Sequence, residues 1–309
     1  MLIDVLGGGP GGEADVSRRS QAAAVAWLQE QGVDVAAVAV HDSLPAIRPG
    51  AVVVNVVHGH FGEDGQLQEL LAAAGVPAVG CDVAASQLCF NKERAKKCLQ
   101  EAGLPVPWGV MIDCAVPASV SQVRWPVMTG LVLKPCCDGS SVGLQMLPSP
   151  SFVLPALEKH LSTLGPTKVL IEERLAGPEG TVAVVQEDNG TWTALPPIMV
   201  LPQEGTYDYE AKYLADSTEY AFVDSTNADQ MSRLALQAVA ACGCRDLARV
   251  DVMRDADGLW RILEVNTLPG LTDHSLLPMA WREAGRDPGV ELVRLCGLAA
   301  RRMEAGSAS

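Results

Sequence analysis

Three oxygen-bearing side chains late in the chain, Asp251, Glu264 and Asn266, stand where a hard cation could use them. Asp251 lies in an apolar alternating run, 248–253, and Glu264 near the end of another, 259–265, with the turn Asp255-Ala256-Asp257-Gly258 between them. Strand, Asp/Gly turn, strand is a hairpin signal. Period two puts Arg249, Asp251 and Met253 on one face of the first strand. Glu264 and Asn266 are expected on opposite faces of the second strand, unless the chain bends just after Glu264. Two carboxylates and an amide on adjacent strand ends suit magnesium, which keeps waters and binds substrate phosphates. Arg249 adds a permanent positive charge beside them. An ordinary hairpin with a surface ion pair uses the same residues, but carboxylates inside apolar strands need a partner or a metal.

Further candidates precede this hairpin. Lys134 ends the strand-like run 131–135 and is followed by Cys136-Cys137-Asp138-Gly139-Ser140-Ser141-Val142-Gly143. Small residues let backbone N–H groups approach phosphate oxygens. It is not a GxxxxGK[ST] loop, because the lysine comes first and no helix follows directly. Lys96 lies on an amphipathic helix that opens at Asn91 and stops at Gly103, before Pro105; alone it reads as one lysine on a solvated face. Residues 7–12, GGGPGG, precede Glu13. A dinucleotide site fails here, since the spacing is wrong and Glu13 would repel a pyrophosphate. Glu13 suits a cationic group, or simply a helix N-terminus. His58 opens HGHFGEDG at the end of the apolar strand 51–57, where open α/β sheets place function; a loop histidine holding backbone fits equally. Residues 203–219 carry charges and tyrosines without periodicity, as a functional loop does.

These residues need scaffolding elements. Strand 2–6, helix 16–31 and strand 33–40 make a β-loop-α-β unit. Helices are expected at 151–164, 228–241, 276–284 and 290–303, and strands at 168–171 and 196–201. The segment 80–90 reads as a connector. The chain has 309 residues, 48% hydrophobic, enough for two or three domains. A net charge of −14 argues against nucleic acid or an acidic membrane as partner. No apolar run reaches membrane-spanning length and no signal peptide is visible, so a cytoplasmic location is expected. Nine cysteines without a CxxC pair suggest reduced, buried thiols. Cys242-Gly-Cys244 is a weak metal signal, with nothing expected to pair with it.

RVDVM followed by LEVNTLPGLTDHS resembles the C-terminal signature of the ATP-grasp ligases, and in detail the D-alanine–D-alanine ligase family, over nearly the whole chain. The resemblance implies α/β and α+β structure in a three-domain ATP-grasp architecture with a Rossmann-like N-terminal domain, divided 1–87, 88–172 and 173–309. It implies ATP and magnesium (two ions, manganese as substitute), D-alanine as substrate, and a homodimer. It assigns Asp251, Glu264 and Asn266 to metal, and Lys96, Lys134 and Lys212 to phosphates. Glu173 and Leu175 backbone groups would read the adenine, with Glu172 beside them, and Glu179 would take the ribose. Glu13, with Ser17, would meet the first substrate's ammonium, and His58 would lie beside that substrate. Ser140, Tyr213 and Glu13 would form a network; Arg249 and Gly270 would face the tetrahedral centre; Ser275 would hold the acceptor carboxylate at a helix start, a role compatible with plain capping. Tyr213 favours D-alanine as acceptor, because relatives using D-lactate tend to have histidine there. Asn91, Arg174, Thr206 and Cys136/Cys137 depart from the family's usual residues. The alternatives are a ligase with another acceptor (D-lactate, D-serine or another amino acid) and a catalytically silent nucleotide-binding homologue.

Overall fold

The computed structural model describes residues 1–126, 128, 130–137, 139, 143–165, 167–202, 218–223 and 225–307. Their strands form three sheets. The first is parallel, in the order β2-β1-β3-β4, from β1 (Leu2–Gly8), β2 (Asp34–Val40), β3 (Ala51–Asn55) and β4 (Ala78–Val79). Every residue of β3 is buried, which explains its unbroken apolar run: a parallel sheet is covered on both faces. Helix α1 (Ala14–Glu30) packs on β1 and β2 and carries the chain between them. Asp4 is fully buried in β1 and is neutralised by Arg48, whose Nε donates to it at 2.6 Å and whose backbone N–H donates at 2.8 Å. Helix α2 (Gln66–Ala73) follows the His58 loop.

The second sheet is antiparallel, in the order β5-β8-β6-β7, from β5 (Gly109–Asp113), β6 (Leu131–Pro135), β7 (Gln145–Leu147) and β8 (Lys168–Glu173). Helix α5 (Val153–Leu164) closes its core through Val153 and Leu157 against Leu131, Leu133 and Ile171.

The third sheet has six strands: β9 (Glu179–Gln186), β10 (Trp192–Ala194), β11 (Ile198–Pro202), β12 (Thr218–Phe222), β13 (Leu247–Arg254) and β14 (Trp260–Asn266). Its order is β12-β11-β9-β13-β14, with β10 also on β9. Alternate residues of β9 enter different cores. Ala183 and Val185 join Ile3, Val5 and Trp27 of the first body and Trp281 of α7 (Leu276–Glu283). Val182 and Val184 join Met231 and Ala235 of α6 (Ser225–Ala241). Helix α8 (Pro288–Ser307) lies against α1.

The segment expected to be a connector is instead helix α3 (Val83–Phe90), begun by Asp82, whose side chain accepts the Ala85 N–H at 3.0 Å. Together with α4 (Lys92–Glu101), it packs against β14. Cys81, Cys89 and Leu99 therefore belong to the core of the third sheet.

Candidate active site

The late hairpin forms as expected, with a detail that changes its geometry. Arg249 pairs with Asn266 and Asp251 with Glu264, and then the register shifts so that Val252 faces Ile262. Leu263 is the extra residue of a β-bulge, a device that re-aims side chains beside sites. No bend after Glu264 is needed, contrary to expectation. Glu264 and Asn266 are two residues apart, so the pleat puts them on one face, across from Asp251 and Arg249.

Asp251 is 5% exposed and its two oxygens are well supplied. Oδ1 accepts from Thr181 Oγ1 at 2.6 Å and from Arg249 Nε at 2.9 Å. Oδ2 accepts from Arg249 Nη2 at 2.8 Å and from Asn266 Nδ2 at 3.0 Å. The fork-on-carboxylate geometry fixes both charges. Thr181 was not anticipated. It lies on β9, directly opposite Asp251, and a threonine inside GTVAVV carries no sequence mark of that role.

Lys96 from α4 and Lys134 from β6 both meet Glu172 of β8. Lys134 Nζ donates to Glu172 Oε2 at 2.8 Å, and Lys96 Nζ donates to Oε1. Burial pushes the Glu172 carboxyl up, but Lys134 and Lys96 outweigh it and hold it below the ordinary range. Burial pulls Lys134 down, and Glu172 more than reverses it, aided by the Glu264 and Glu179 carboxylates. Glu172, expected beside adenine, is here the shared counter-ion of the two lysines.

The first body contributes Glu13 and His58. Glu13 packs against Gly59 closely enough that a Cβ there would stand 2.3 Å from its Oε2, and against Gly139 of the loop after Lys134. Gly59 has φ +74°, and it is this backbone conformation that favours glycine there. Phe61, in the same loop, holds φ 75°, a strained value for an aromatic residue that is buried in the core. Ser17 serves the fold: its hydroxyl accepts the Gly8 N–H at 2.9 Å and donates to the Val56 carbonyl at 2.6 Å. His58 is buried between Ser20, at 3.3 Å from Nε2, and Glu63, at 3.2 Å from Nδ1. Ser20 Oγ in turn accepts the Leu271 N–H at 3.3 Å. A tautomer with Nδ1–H toward Glu63 lets Ser20 donate to Nε2 and accept from Leu271. This chain crosses from the first body to the loop that carries Gly270.

A cavity gathers Glu13, His58, Lys96, Gly139, Glu172, Arg249, Glu264, Asn266 and Gly270. A second cavity holds Arg19, Tyr220, Arg249, Gly270, His274 and Ser275. Arg249 and Gly270 border both, so they stand where the two chambers meet. Ser275 begins α7 but does not cap it: its Oγ accepts the Thr272 N–H at 3.0 Å and lies 2.7 Å from Thr272 Oγ1. Plain side-chain capping is thus excluded. The first-turn amides of α7 are left without a side-chain cap beside that chamber.

At the β8 end, Glu173 donates its N–H to Trp108 at 2.9 Å, and its side chain accepts the Trp108 N–H at 2.8 Å. Leu175 follows, half-buried. Glu179 opens β9 with its carboxylate near Lys134. Ser140, Thr206, Lys212 and Tyr213 lie outside the described residues. Cys242 and Cys244 have sulfur neighbours after all: Cys81 meets Cys244, and Cys89 meets both. Among the described residues, though, no three His, Cys, Asp or Glu side chains are grouped to hold a metal.

A family model described as D-ala D-ala ligase C-terminus matches residues 98–295. The D-alanine–D-alanine ligase of Stutzerimonas stutzeri is 38% identical over 296 residues, covering 92% of this chain and 90% of that protein. D-alanine–D-alanine ligase B of Pseudomonas putida is 36% identical over 291 residues, covering 92% and 89%. Among solved structures, the D-alanine–D-alanine ligase of Bacillus anthracis superposes with a TM-score of 0.82 at 26% identity, covering 99% of each chain. The VanG D-Ala:D-Ser ligase of Enterococcus faecalis gives 0.82 at 26% identity, covering 96% of this chain and 99% of that one. With its three sheets and its two joined chambers, the chain belongs to the D-alanine–D-alanine ligase family.

Proposed function

We propose that this protein is an ATP-dependent ligase that joins two D-alanine molecules through an acyl phosphate, supplying a peptidoglycan precursor in the cytoplasm. The observation that carries the reading is the pair of chambers sharing Arg249 and Gly270. One is lined by Lys96 and by Glu172, the carboxylate that Lys134 also meets, a seat for polyphosphate. The other holds Arg19, Arg249 and the uncapped start of α7, a seat for a carboxylate.

The first D-alanine binds with its ammonium at Glu13 and lies beside His58. One of its carboxylate oxygens attacks the γ-phosphorus, the bond to the β-phosphate oxygen breaks, and ADP leaves. The amine of the second D-alanine, its carboxylate held at Ser275 and the α7 amides, attacks the acyl carbon, and phosphate departs. Arg249, locked by Asp251, faces the negative charge that develops at that carbon, with the Gly270 backbone alongside. Lys96 and Lys134 hold the phosphates, so positioning and charge neutralisation carry the first step. Lys212, Ser140 and Tyr213 complete the site on the family pattern, as do Glu173 and Leu175 for adenine and Glu179 for ribose.

The residues present fit magnesium. Glu264 and Asn266 line the nucleotide chamber, and Asn266 donates through Nδ2, leaving Oδ1 as a ligand. Asp251 joins them by exchanging one of its four donors. An all-oxygen set of two carboxylates and an amide leaves the remaining positions to water and phosphate, as magnesium prefers. When bound, the metal, as two ions or as manganese, supplies charge neutralisation to the phosphates. We take the chain to divide into 1–87, 88–172 and 173–309, one region for each sheet in the main, although these bounds fall inside α3 and at the last residue of β8, and we take the assembly to be a homodimer.

Phosphate release with ATP, magnesium and D-alanine tests the reading, with L-alanine, D-lactate and D-serine as comparisons. Turnover confined to D-alanine is expected. Preference for D-lactate or D-serine would move the protein to another acceptor class, and ATP binding without turnover on any of them would make it a silent homologue.

A further inference from the structure

Two adjacent thiols, the buried Cys136 and the half-buried Cys137, stand next to Lys92, which lines the nucleotide chamber, and the reaction above does not use them. Cys136 follows Lys134 by two residues, at the end of β6. Its N–H donates to the Lys168 carbonyl at 3.0 Å, and its own carbonyl accepts the Lys92 N–H at 2.9 Å. Lys92 is the first residue of α4 and lines the chamber. Cys136 Sγ lies 3.4 Å from Oδ1 of Asn91, the α4 N-cap, a contact that only the protonated thiol makes, as donor, and that therefore opposes ionisation. It also takes the Glu93 amide and the thiol of Cys137 as hydrogen-bond partners. A sulfur at a helix N-terminus, with a lysine and a second thiol alongside, is in surroundings that favour the thiolate.

The Cys137 hydrogen bond lowers the Cys136 thiol most. Burial opposes it, the Glu93 amide and Lys92 support it, the Glu93 carboxylate resists, and the group falls to about 6. Other cysteines go the opposite way. Neighbouring thiols and burial push Cys81 and Cys89 up, and burial pushes up Cys114 and Cys296. Cys137 is half-buried and adjacent, so it is placed to resolve whatever forms on Cys136.

We propose that Cys136 and Cys137 form a reversible thiol switch at the nucleotide chamber, oxidised by a hydroperoxide to a disulfide between the two neighbours. The Cys136 thiolate attacks a peroxide oxygen, the O–O bond breaks, and the departing hydroxide takes a proton to become water. Cys136 is then a sulfenic acid. The Cys137 sulfur attacks that sulfur, the S–O bond breaks, and the hydroxyl leaves with the Cys137 proton as a second water. Two thiols lose two electrons and one peroxide gains them. Neighbouring Cα atoms stand about 3.8 Å apart, closer than an unstrained disulfide wants, so the bond is easily reduced. Closing the ring displaces the Cys136 carbonyl that holds Lys92, and with it the start of the helix bearing Lys96. Loss of nucleotide affinity follows; that consequence rests on the proposed function, while the oxidation chemistry does not.

The test exposes the protein to one equivalent of hydrogen peroxide at about pH 6. There the gain in thiolate fraction over an ordinary thiol outweighs the loss in nucleophilicity by about tenfold. Expected are an intact mass lower by two hydrogens, one peptide in which neither Cys136 nor Cys137 alkylates, and recovery with dithiothreitol. Cys137→Ser should stop at a sulfenic acid on Cys136, trapped by a cyclic 1,3-diketone. Cys136→Ser should react about tenfold more slowly. ATP binding to the oxidised protein should weaken at least about tenfold. Oxidation that falls first on another cysteine, or a Cys136→Ser variant that reacts at the wild-type rate, overturns the proposal. A mapped disulfide with unchanged ATP affinity overturns the switch. A reduced protein that binds no ATP refutes the nucleotide reading instead, leaving the disulfide mapping to stand or fall by itself.

Discussion

Two charged clusters face the same chamber and are built on opposite principles. Around Asp251, one carboxylate meets one guanidinium, a threonine hydroxyl and an amide, and its oxygens have four donors. Around Glu172, one carboxylate meets two ammonium groups. The first cluster is satisfied by the protein itself and fixes Arg249 in place. The second shares one carboxylate between two ammonium groups, with the Glu264 and Glu179 carboxylates also acting on Lys134. On the proposed function, the contrast separates a cation fixed toward a developing charge from a pair of ammonium groups shared by one carboxylate for a polyanion to meet.

Removing the carboxylate from the second cluster should have the largest effect on folding. Glu172→Ala leaves two poorly solvated lysines without their anion, and a loss of about 3–5 kcal/mol is expected in denaturant titration without nucleotide. If stability hardly changes, the lysines do not depend on Glu172 and the contrast fails. Next comes Asp251→Asn, which keeps the shape but leaves Arg249 without a charge partner. Phosphate release should fall by about 100-fold or more, and turnover close to that of the wild type would deny Arg249 its place at the reacting carbon. Thr181→Val removes one buried donor to Asp251 and should cost about 1–3 kcal/mol, seen as a lower thermal midpoint. Ser20→Ala cuts the link from His58 to Leu271 and should cost only about 1 kcal/mol. Its signature is a raised KM for D-alanine rather than a lost fold, and an unmoved KM would leave that chain a packing feature.

The pH dependence sharpens the same contrast. Glu172 titrates below its ordinary value in the folded state. Its contribution is therefore present above the unfolded carboxyl value and is lost as pH falls through the folded one. Lys134 titrates above its ordinary value, so its contribution is complete below the unfolded lysine value and is lost as pH rises through the folded one. Glu172→Gln should flatten both edges of the stability curve measured by chemical denaturation. Edges identical to those of the wild type would assign them to other groups.

Much of this was legible in the sequence, for reasons that differ by region. The late hairpin declares itself through alternation and an Asp/Gly turn, and its strands run Leu247–Arg254 and Trp260–Asn266. The bulge at Leu263 has no such signature, because it arises from pairing between strands rather than within one. Strand β9 escaped notice although it is the middle of the catalytic sheet. Buried on both faces, it shows no alternation, and Thr181 was missed with it. Helix α3 was taken for a connector because its eight residues are short and apolar, too few for a helical period to stand out. The pairing of both lysines with Glu172 joins residues 38 and 76 positions apart, and only the fold brings them together.

Binding of a non-hydrolysable ATP analogue to Lys134→Met, measured by calorimetry in the presence of magnesium and compared with the wild type, tests the central claim most directly. If the lysine pair on Glu172 is the polyphosphate seat, affinity should fall at least about tenfold, or 1.4 kcal/mol, while the thermal midpoint of the empty protein changes little, since Lys96 still covers Glu172. Wild-type affinity in that variant would place the triphosphate elsewhere and contradict the account.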